Sequence, residues 1–423
     1  MTAAIVIPAI TGWRVHVKSF PPLHAAWDPR VGVGTVPAVA LAVVAVAFSA
    51  RAATRWRWRT VVWASFAASS AWLFSLATVD GWAGIGHILD TSYEYLNTAR
   101  GVTNISATLH EYISRIPLDS AHHWPVHIAG HPAGALVFFV LLVHLGLGSG
   151  LAAGVVVALV AATTPAAVLI TLRTLGAENG ARVAAPFLVF GSAAVWMAVS
   201  ADAVFATFAA WGLCALARAA KSPGLRSRIA WSIVAGLVLG YCVMMSYGLP
   251  LLVVLACAIL IIAKTWRPLP WAVGAALFVV LSFAAGGFVW WNAYPVLVQR
   301  YWAGIAHRRP LAYWIWGDLA ALCFSAGPIV GASVATTLGR LRRFGAAAVT
   351  ERPIIVLVLA ALLSVVLADV SQMSKAEVER IWLPFVPWLL VGTALLPQKW
   401  RRFGLSSQVV FALLVQHLLF TGW

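Results

Sequence analysis

The chain has 423 residues, of which 62% are hydrophobic and only 10% charged, and a formal net charge of +16. That balance excludes a soluble globular domain and a disordered chain, both of which need more polar surface. It also excludes a nucleic-acid footprint, because the basic residues are dispersed in short loops between apolar runs.

A bilayer crossing needs roughly 20 mostly apolar residues, since every backbone polar group must be satisfied within the helix. Residues 1–32 hold only a short apolar stretch, 3–10, without a basic region before it, so an external N-terminal segment with no cleavable signal peptide is expected. From there apolar runs repeat at 33–50, 60–79, 151–172, 183–199, 203–219, 229–247, 249–263, 271–291, 319–337, 353–370, 381–396 and 406–420. Residues 33–423 therefore read as a single all-α transmembrane domain, a polytopic bundle of about 12 spans.

Basic clusters orient it. Arg51, Arg55, Arg57 and Arg59 come first, then Arg173 and Arg182, then Arg218, Lys221, Arg226 and Arg228. Lys264 and Arg267, then Arg340, Arg342, Arg343 and Arg352, then Lys399, Arg401 and Arg402 complete the set. Placing these loops in the cytoplasm puts 19 of the 29 Lys and Arg inside, with Glu178 and Glu351 as the only acids there. The other eleven acids then face outside, which sets any acid–base chemistry on the external side of a plasma membrane. The loop 80–132 becomes a long external loop carrying interfacial helices. Within it, Ile105, Leu109, Ile113 and Ile116 recur at helical spacing. Residues 133–148 follow as an embedded helix, and 291–316, rich in Trp and Tyr, form a second external loop. The four cysteines lie within apolar runs with no CxxC spacing and read as buried thiols.

Several external residues are suited to chemistry. Asp80 ends a span where it opens into the long loop, and an ionisable group at a membrane edge is a functional candidate by default. Partial desolvation would make it a better base; the plain alternative is a helix-terminating Asp before Gly81. Asp90 and Glu94 follow in the same loop as further external carboxylates. The run 115–132 then gathers His122, His123, His127 and His131 near Arg115 and Asp119. Hydrogen bonding to phosphate or sugar hydroxyls is the favoured use. A divalent metal is the alternative, because His123 and His127 are four apart, although Pro125 between them disturbs a helix. Asp202 occupies a tight external turn, as a cap or as a ligand contact. In 374–387, Lys375 could pair with Glu379, or Glu377 with Arg380, on a helix. A guanidinium at a span mouth grips phosphate at headgroup depth, and a plain interfacial anchor is the bland alternative. Tyr301, His307, Arg308 and Arg309 in the second loop could add phosphate contacts.

Three stretches together resemble the GT-C superfamily of polytopic glycosyltransferases that use polyprenyl-phosphate sugars. Asp80 ends an early span and opens the large external loop. Arg173-Thr-Leu-Gly176 precedes a span that leads to the short turn with Asp202. Glu379-Arg-Ile-Trp-Leu-Pro-Phe-Val-Pro387 is similar to the Glu-Arg-Tyr-x-x-Pro-x-x-Pro pattern of several such families. The match in order runs across roughly residues 60–396, and the composition with the His-Pro loop looks like actinobacterial members. The resemblance implies inverting transfer of mannose or arabinofuranose from the lipid donor to a cell-envelope glycan or glycolipid. Asp80 would then be the base, and Arg380, with Lys375 and His123, the phosphate ligands. Asp90, Glu94, His122, His127, His131, Asp202, Glu377 and Glu379 would shape the sugar and acceptor site, with no cofactor required. The chain departs from the pattern in two places: Asp80 follows the second span rather than the first, and Trp382 stands where Tyr is frequent.

A flippase for a lipid-linked sugar would place charges near span midpoints, which are nearly free of them here. A non-catalytic scaffold would not require carboxylates at two separate span mouths.

Overall fold

A computed structural model describes all residues except 18, 19, 343, 344, 346–348 and 423; Lys18 and Arg343, counted above among the basic residues, lie outside it. The chain is 74% helical with almost no strand, as an all-α membrane protein requires. Among the described residues, six helices are long and apolar enough to cross a bilayer: Thr35–Arg55, Trp58–Asp80, Gly150–Thr174, Ala201–Lys221, Leu225–Met245 and Arg352–Ser371. The count rises to eight if two sharply bent pairs are each taken as one span.

Helix Ala201–Lys221 is the most deeply buried of the six. Its local sequence fixes both ends. The Ser200 hydroxyl accepts from the Ala203 amide at 3.1 Å, Asp202 lies in the first turn, and Arg218 and Lys221 lie in the last. Helix Leu225–Met245 packs closely on Leu269–Ala285 because Gly236 and Gly240 face it. A methyl group on Gly236 would lie 2.1 Å from the Ala272 carbonyl oxygen. This small-xxx-small seam lets two backbones approach where no hydrophobic driving force separates lipid from protein.

Several expected spans take other forms. Residues 319–337 do not form one straight span: Leu311–Ala326 and Ile329–Leu341 meet at 105°. Gly327 adopts φ 79°, and the fully buried Gln408 bridges the break. Its amide donates to the Ala326 carbonyl at 3.0 Å and its oxygen accepts from the Ile329 amide at 3.3 Å. A break within an apolar bundle survives when its freed backbone groups find such partners. Residues 183–199 divide into Glu178–Val189 and a turn Ala194–Met197. Residues 249–263 and 381–396 fold as apolar helices shorter than a full span, Leu249–Ala263 and Val386–Leu395. The last apolar run belongs to Gln398–Leu418, whose first turns carry Lys399, Arg401 and Arg402.

The segment 291–316, expected as a loop, is mostly helical. Trp290–Ala303 packs through Trp290, which stacks on Tyr294 with ring centroids 5.6 Å apart, and through Tyr247 against both. It meets Leu269–Ala285 at 72°. The segment 80–132 holds short helical turns, among them Ile105–Glu111, capped by Asn104 and with Leu109 buried. Tyr112 and Trp124 anchor it to the core; the Tyr112 hydroxyl donates to the Ile128 carbonyl at 2.8 Å. The apolar run that follows is helical over Ala133–His144. Near the ends of the chain, Ala26 and Trp27 pair antiparallel with Phe420 and Leu419.

Candidate functional site

Arg380 is the hub of a buried charge cluster drawn from four separate segments. It sits on the short helix Val378–Ile381, entered through Ala376 and Glu377, both with positive φ (65° and 61°). Left-handed backbone in two consecutive non-glycine residues costs on the order of 1–3 kcal/mol each, and strain of this kind gathers at working sites. The turn is held from outside: the Asp318 carboxylate accepts from the Ala376 amide at 2.9 Å, and the Lys375 amide donates to the Tyr301 hydroxyl at 2.9 Å.

From this turn the guanidinium reaches Asp202 at 2.6 Å and Glu377 at 2.5 Å. It also donates to His127 Nε2 at 3.3 Å. Because a guanidinium can only donate, Nε2 is the acceptor, and the His127 proton resides on Nδ1. That Nδ1 donates to Glu94 at 2.8 Å. One turn on, His131 Nδ1 lies 2.7 Å from the His127 carbonyl, with its ring between Tyr95 and Phe205. The Tyr95 hydroxyl donates to the same carbonyl at 3.3 Å, so the 126–131 turn is pinned from two sides.

These side chains border a cavity of about 640 Å³. Its polar wall holds Arg300, Arg309, Lys375, Arg380, Glu377, His127 and His131, and its remaining lining is largely aliphatic and aromatic. Arg309 lies 3.8 Å from Glu377 and stacks on Trp314, while Lys375 Nζ sits 4.6 Å over the Trp302 ring. Asp202 and Glu94 stand behind the wall, bonded to Arg380 and His127. Burial alone would raise Glu377, but the guanidinium of Arg380 first, and that of Arg309 with it, overcome this and bring it down to about 2. Burial opposes the charge on Arg380 as well, yet Asp202 and Glu377 outweigh it and hold the guanidinium protonated beyond its ordinary range. The wall itself presents four cations, Arg300, Arg309, Lys375 and Arg380, against the single carboxylate of Glu377, with Asp202 and Glu94 behind it and Asp318 holding the Ala376 turn.

The structure brings together Glu94, His127, His131, Asp202, Lys375, Glu377 and Arg380, seven of the twelve candidates. The other five lie elsewhere. Asp80 does not line the cavity; Arg30 and the Gln416 amide (2.8 Å) hold its carboxylate. Asp90 pairs with Arg100 at 2.5 Å. His122 and His123 are exposed, because Arg115 fastens the His122 carbonyl and its guanidinium stacks 3.4 Å over Trp124, turning the loop outward. His123 is thus not placed as a phosphate ligand, nor paired with His127. Glu379 is buried at 1% exposure and does not line the cavity. The i,i+3 pair Glu377–Arg380 forms, whereas the alternative Lys375–Glu379 does not. No group of three or more metal-type ligands is found among the described residues. Arg300 was not singled out from the sequence. It donates to the Ile116 and Trp124 carbonyls at 2.5 and 2.9 Å, and its place in a Trp-rich run looked like interface anchoring.

Compared with protein-family models, curated proteins and solved structures, the chain matches none.

Proposed function

We propose that the protein is an integral-membrane glycosyltransferase that moves a sugar from a polyprenyl-phosphate donor to a glycan or glycolipid acceptor. The observation that carries this reading is the cavity of about 640 Å³, whose one wall is cationic and whose remainder is apolar. Such a space suits a ligand that is part lipid and part anion. A sugar phosphodiester bears a negative charge, which a wall rich in guanidinium and ammonium groups complements. Arg380 and Arg309 would grip the phosphate oxygens, with Lys375 as a point charge, and stabilise the charge that develops as the phosphate leaves. The isoprenoid would lie along the apolar lining. This reading needs no divalent cation, because guanidinium and ammonium groups meet the phosphate. In a cell, the shorter apolar helices would complete about twelve passages of the plasma membrane, with the cavity opening on the extracytoplasmic side. Mannose and arabinofuranose are the sugars favoured by the sequence resemblance.

The test uses the full chain in lipid nanodiscs, with polyprenyl-phosphate-linked mannose and arabinofuranose as donors. Arg380→Gln should lower both transfer and polyprenyl-phosphate binding by roughly 100-fold or more. Because that change strands two carboxylates, Lys375→Ala serves as the milder variant and should weaken lipid-phosphate binding about tenfold. Native-like binding in both variants would sink the reading.

A further inference from the structure

The glycosyl-transfer reading leaves one requirement unmet. The acceptor hydroxyl must lose a proton as its oxygen attacks, and the carboxylates of the cluster are poorly placed to take it. Glu377 lines the cavity, but Arg380 at 2.5 Å and Arg309 keep it a weak base. Asp202 is ion-paired at 2.6 Å and stands behind the wall. Glu94 stands behind His127, off the cavity lining, and both ring nitrogens of His127 are engaged. Asp80 is held outside the cavity.

His131 is different. A carbonyl can only accept, so the 2.7 Å contact to the His127 carbonyl places the His131 proton on Nδ1. The lone pair of a neutral ring is then on Nε2, and among the described residues no group bonds to it. The ring borders the cavity, fixed between Tyr95 and Phe205. We infer that His131 is the general base of the reaction, with Nε2 accepting the proton of the acceptor hydroxyl. This inference rests on the glycosyl-transfer reading and assigns that site its proton acceptor.

The step balances. The hydroxyl oxygen forms a bond to the anomeric carbon, and its proton passes to His131 Nε2. The bond from the anomeric carbon to the phosphate oxygen breaks, and its electron pair leaves with the polyprenyl phosphate. Lys375, Arg309 and Arg380 receive that charge, and the configuration at the anomeric carbon inverts. The surroundings keep the ring neutral between turnovers. Burial is the largest influence and lowers its affinity for a proton; Asp202 and the bond to the His127 carbonyl oppose this, and Arg380 reinforces it. The titratable and charged groups facing the ring are thus Asp202 from Ala201–Lys221, Arg380 from Val378–Ile381, Tyr95 from Tyr95–Arg100, and the neutral His127 of its own turn, with Glu94 behind it.

The experiment compares native protein, His131→Gln, His131→Ala and Asp80→Asn in nanodiscs, with the two polyprenyl-phosphate sugars as donors and polyprenyl phosphate as the binding probe. Removing a general base should cut kcat by about 10²–10⁴-fold in both His131 variants, with donor KM and polyprenyl-phosphate binding within a few fold of native. The acid limb of the native pH–rate profile, below the ordinary histidine value of about 6.5, should vanish with the histidine. Free imidazole should restore part of the turnover of His131→Ala. Native kcat in the His131 variants overturns the assignment, as does loss of turnover confined to Asp80→Asn. Loss of lipid-phosphate binding in both His131 variants also overturns it, because the role would then be structural. If the native protein binds polyprenyl phosphate yet transfers neither sugar, the transfer reading itself fails; if it transfers and the histidine is silent, only this inference does.

Discussion

Glu377 and Glu379 are two positions apart on one short turn, yet their environments drive them in opposite directions. Glu377 faces two guanidinium groups and is lowered to about 2. Burial raises Glu379 to about 7, and backbone amides of Glu379 and His24 only partly offset that; its Oε2 has no hydrogen-bond partner. The two therefore act on stability in different pH windows. For Glu377 the stabilisation is complete above the unfolded value near 4.5 and is lost as pH falls toward 2. For Glu379 the folded state holds the extra proton between about 4.5 and 7, so stability declines as pH rises through that window. Glu379→Gln should therefore flatten the pH dependence between 5 and 8 and raise Tm at pH 8 by roughly 2–5 °C, read by thermal unfolding in detergent. An unchanged pH profile would show that Glu379 is solvated in solution. At this scale the sequence was partly legible. The i,i+3 spacing pointed to the Glu377–Arg380 pair, but no spacing rule joins Arg380 to Asp202 or Glu94 to His127, because those contacts depend on tertiary packing. For the same reason Asp80, promising by position alone, found partners in Arg30 and Gln416, which sequence distance hides.

At the scale of elements, the apolar runs were readable and their shapes were not. Hydropathy marks where a helix is free to enter a bilayer, but it is blind to a break that a remote side chain repairs, as Gln408 does beside Gly327. It also missed the segment 290–303, where Trp and Tyr pack on one another as a helix rather than anchoring a loop. The Gly236–Gly240 seam was readable in principle from its four-residue spacing. Its importance depends on the partner, since the place of an added methyl on Gly236 is taken by the Ala272 carbonyl. Gly236→Leu should force the two helices apart, costing about 1–3 kcal/mol or more. Fluorescence-detected size exclusion after mild heating checks this: the variant should lose its monodisperse peak several degrees below native.

For the molecule as a whole, the two ends of the helical bundle are chemically unlike. Arg182 donates to the Ala53 and Trp56 carbonyls and pairs with Glu178, while Arg173 stacks on Trp58, so two basic clusters share one end. Asp80 and Asp202 lie at the opposite ends of helices belonging to that bundle. With basic residues retained in the cytoplasm, a cysteine at Ser120 should react with a membrane-impermeant maleimide on intact cells and one at Ser222 should not. The reverse labelling would invert the placement of the cavity.

The cluster around Arg380 also sets an order of events in biogenesis. Asp202 is made 178 residues before the guanidinium that neutralises it. At ordinary elongation rates it waits roughly 10 to 40 seconds for that partner. During that interval the nascent chain holds carboxylates destined for burial with no counter-ion, and such groups resist leaving water. The cavity wall therefore closes only after the sixth long apolar helix, Arg352–Ser371, has been made. A chain cut short before residue 380 would hold its six long apolar helices, while its polar heart stays open to quality-control proteases.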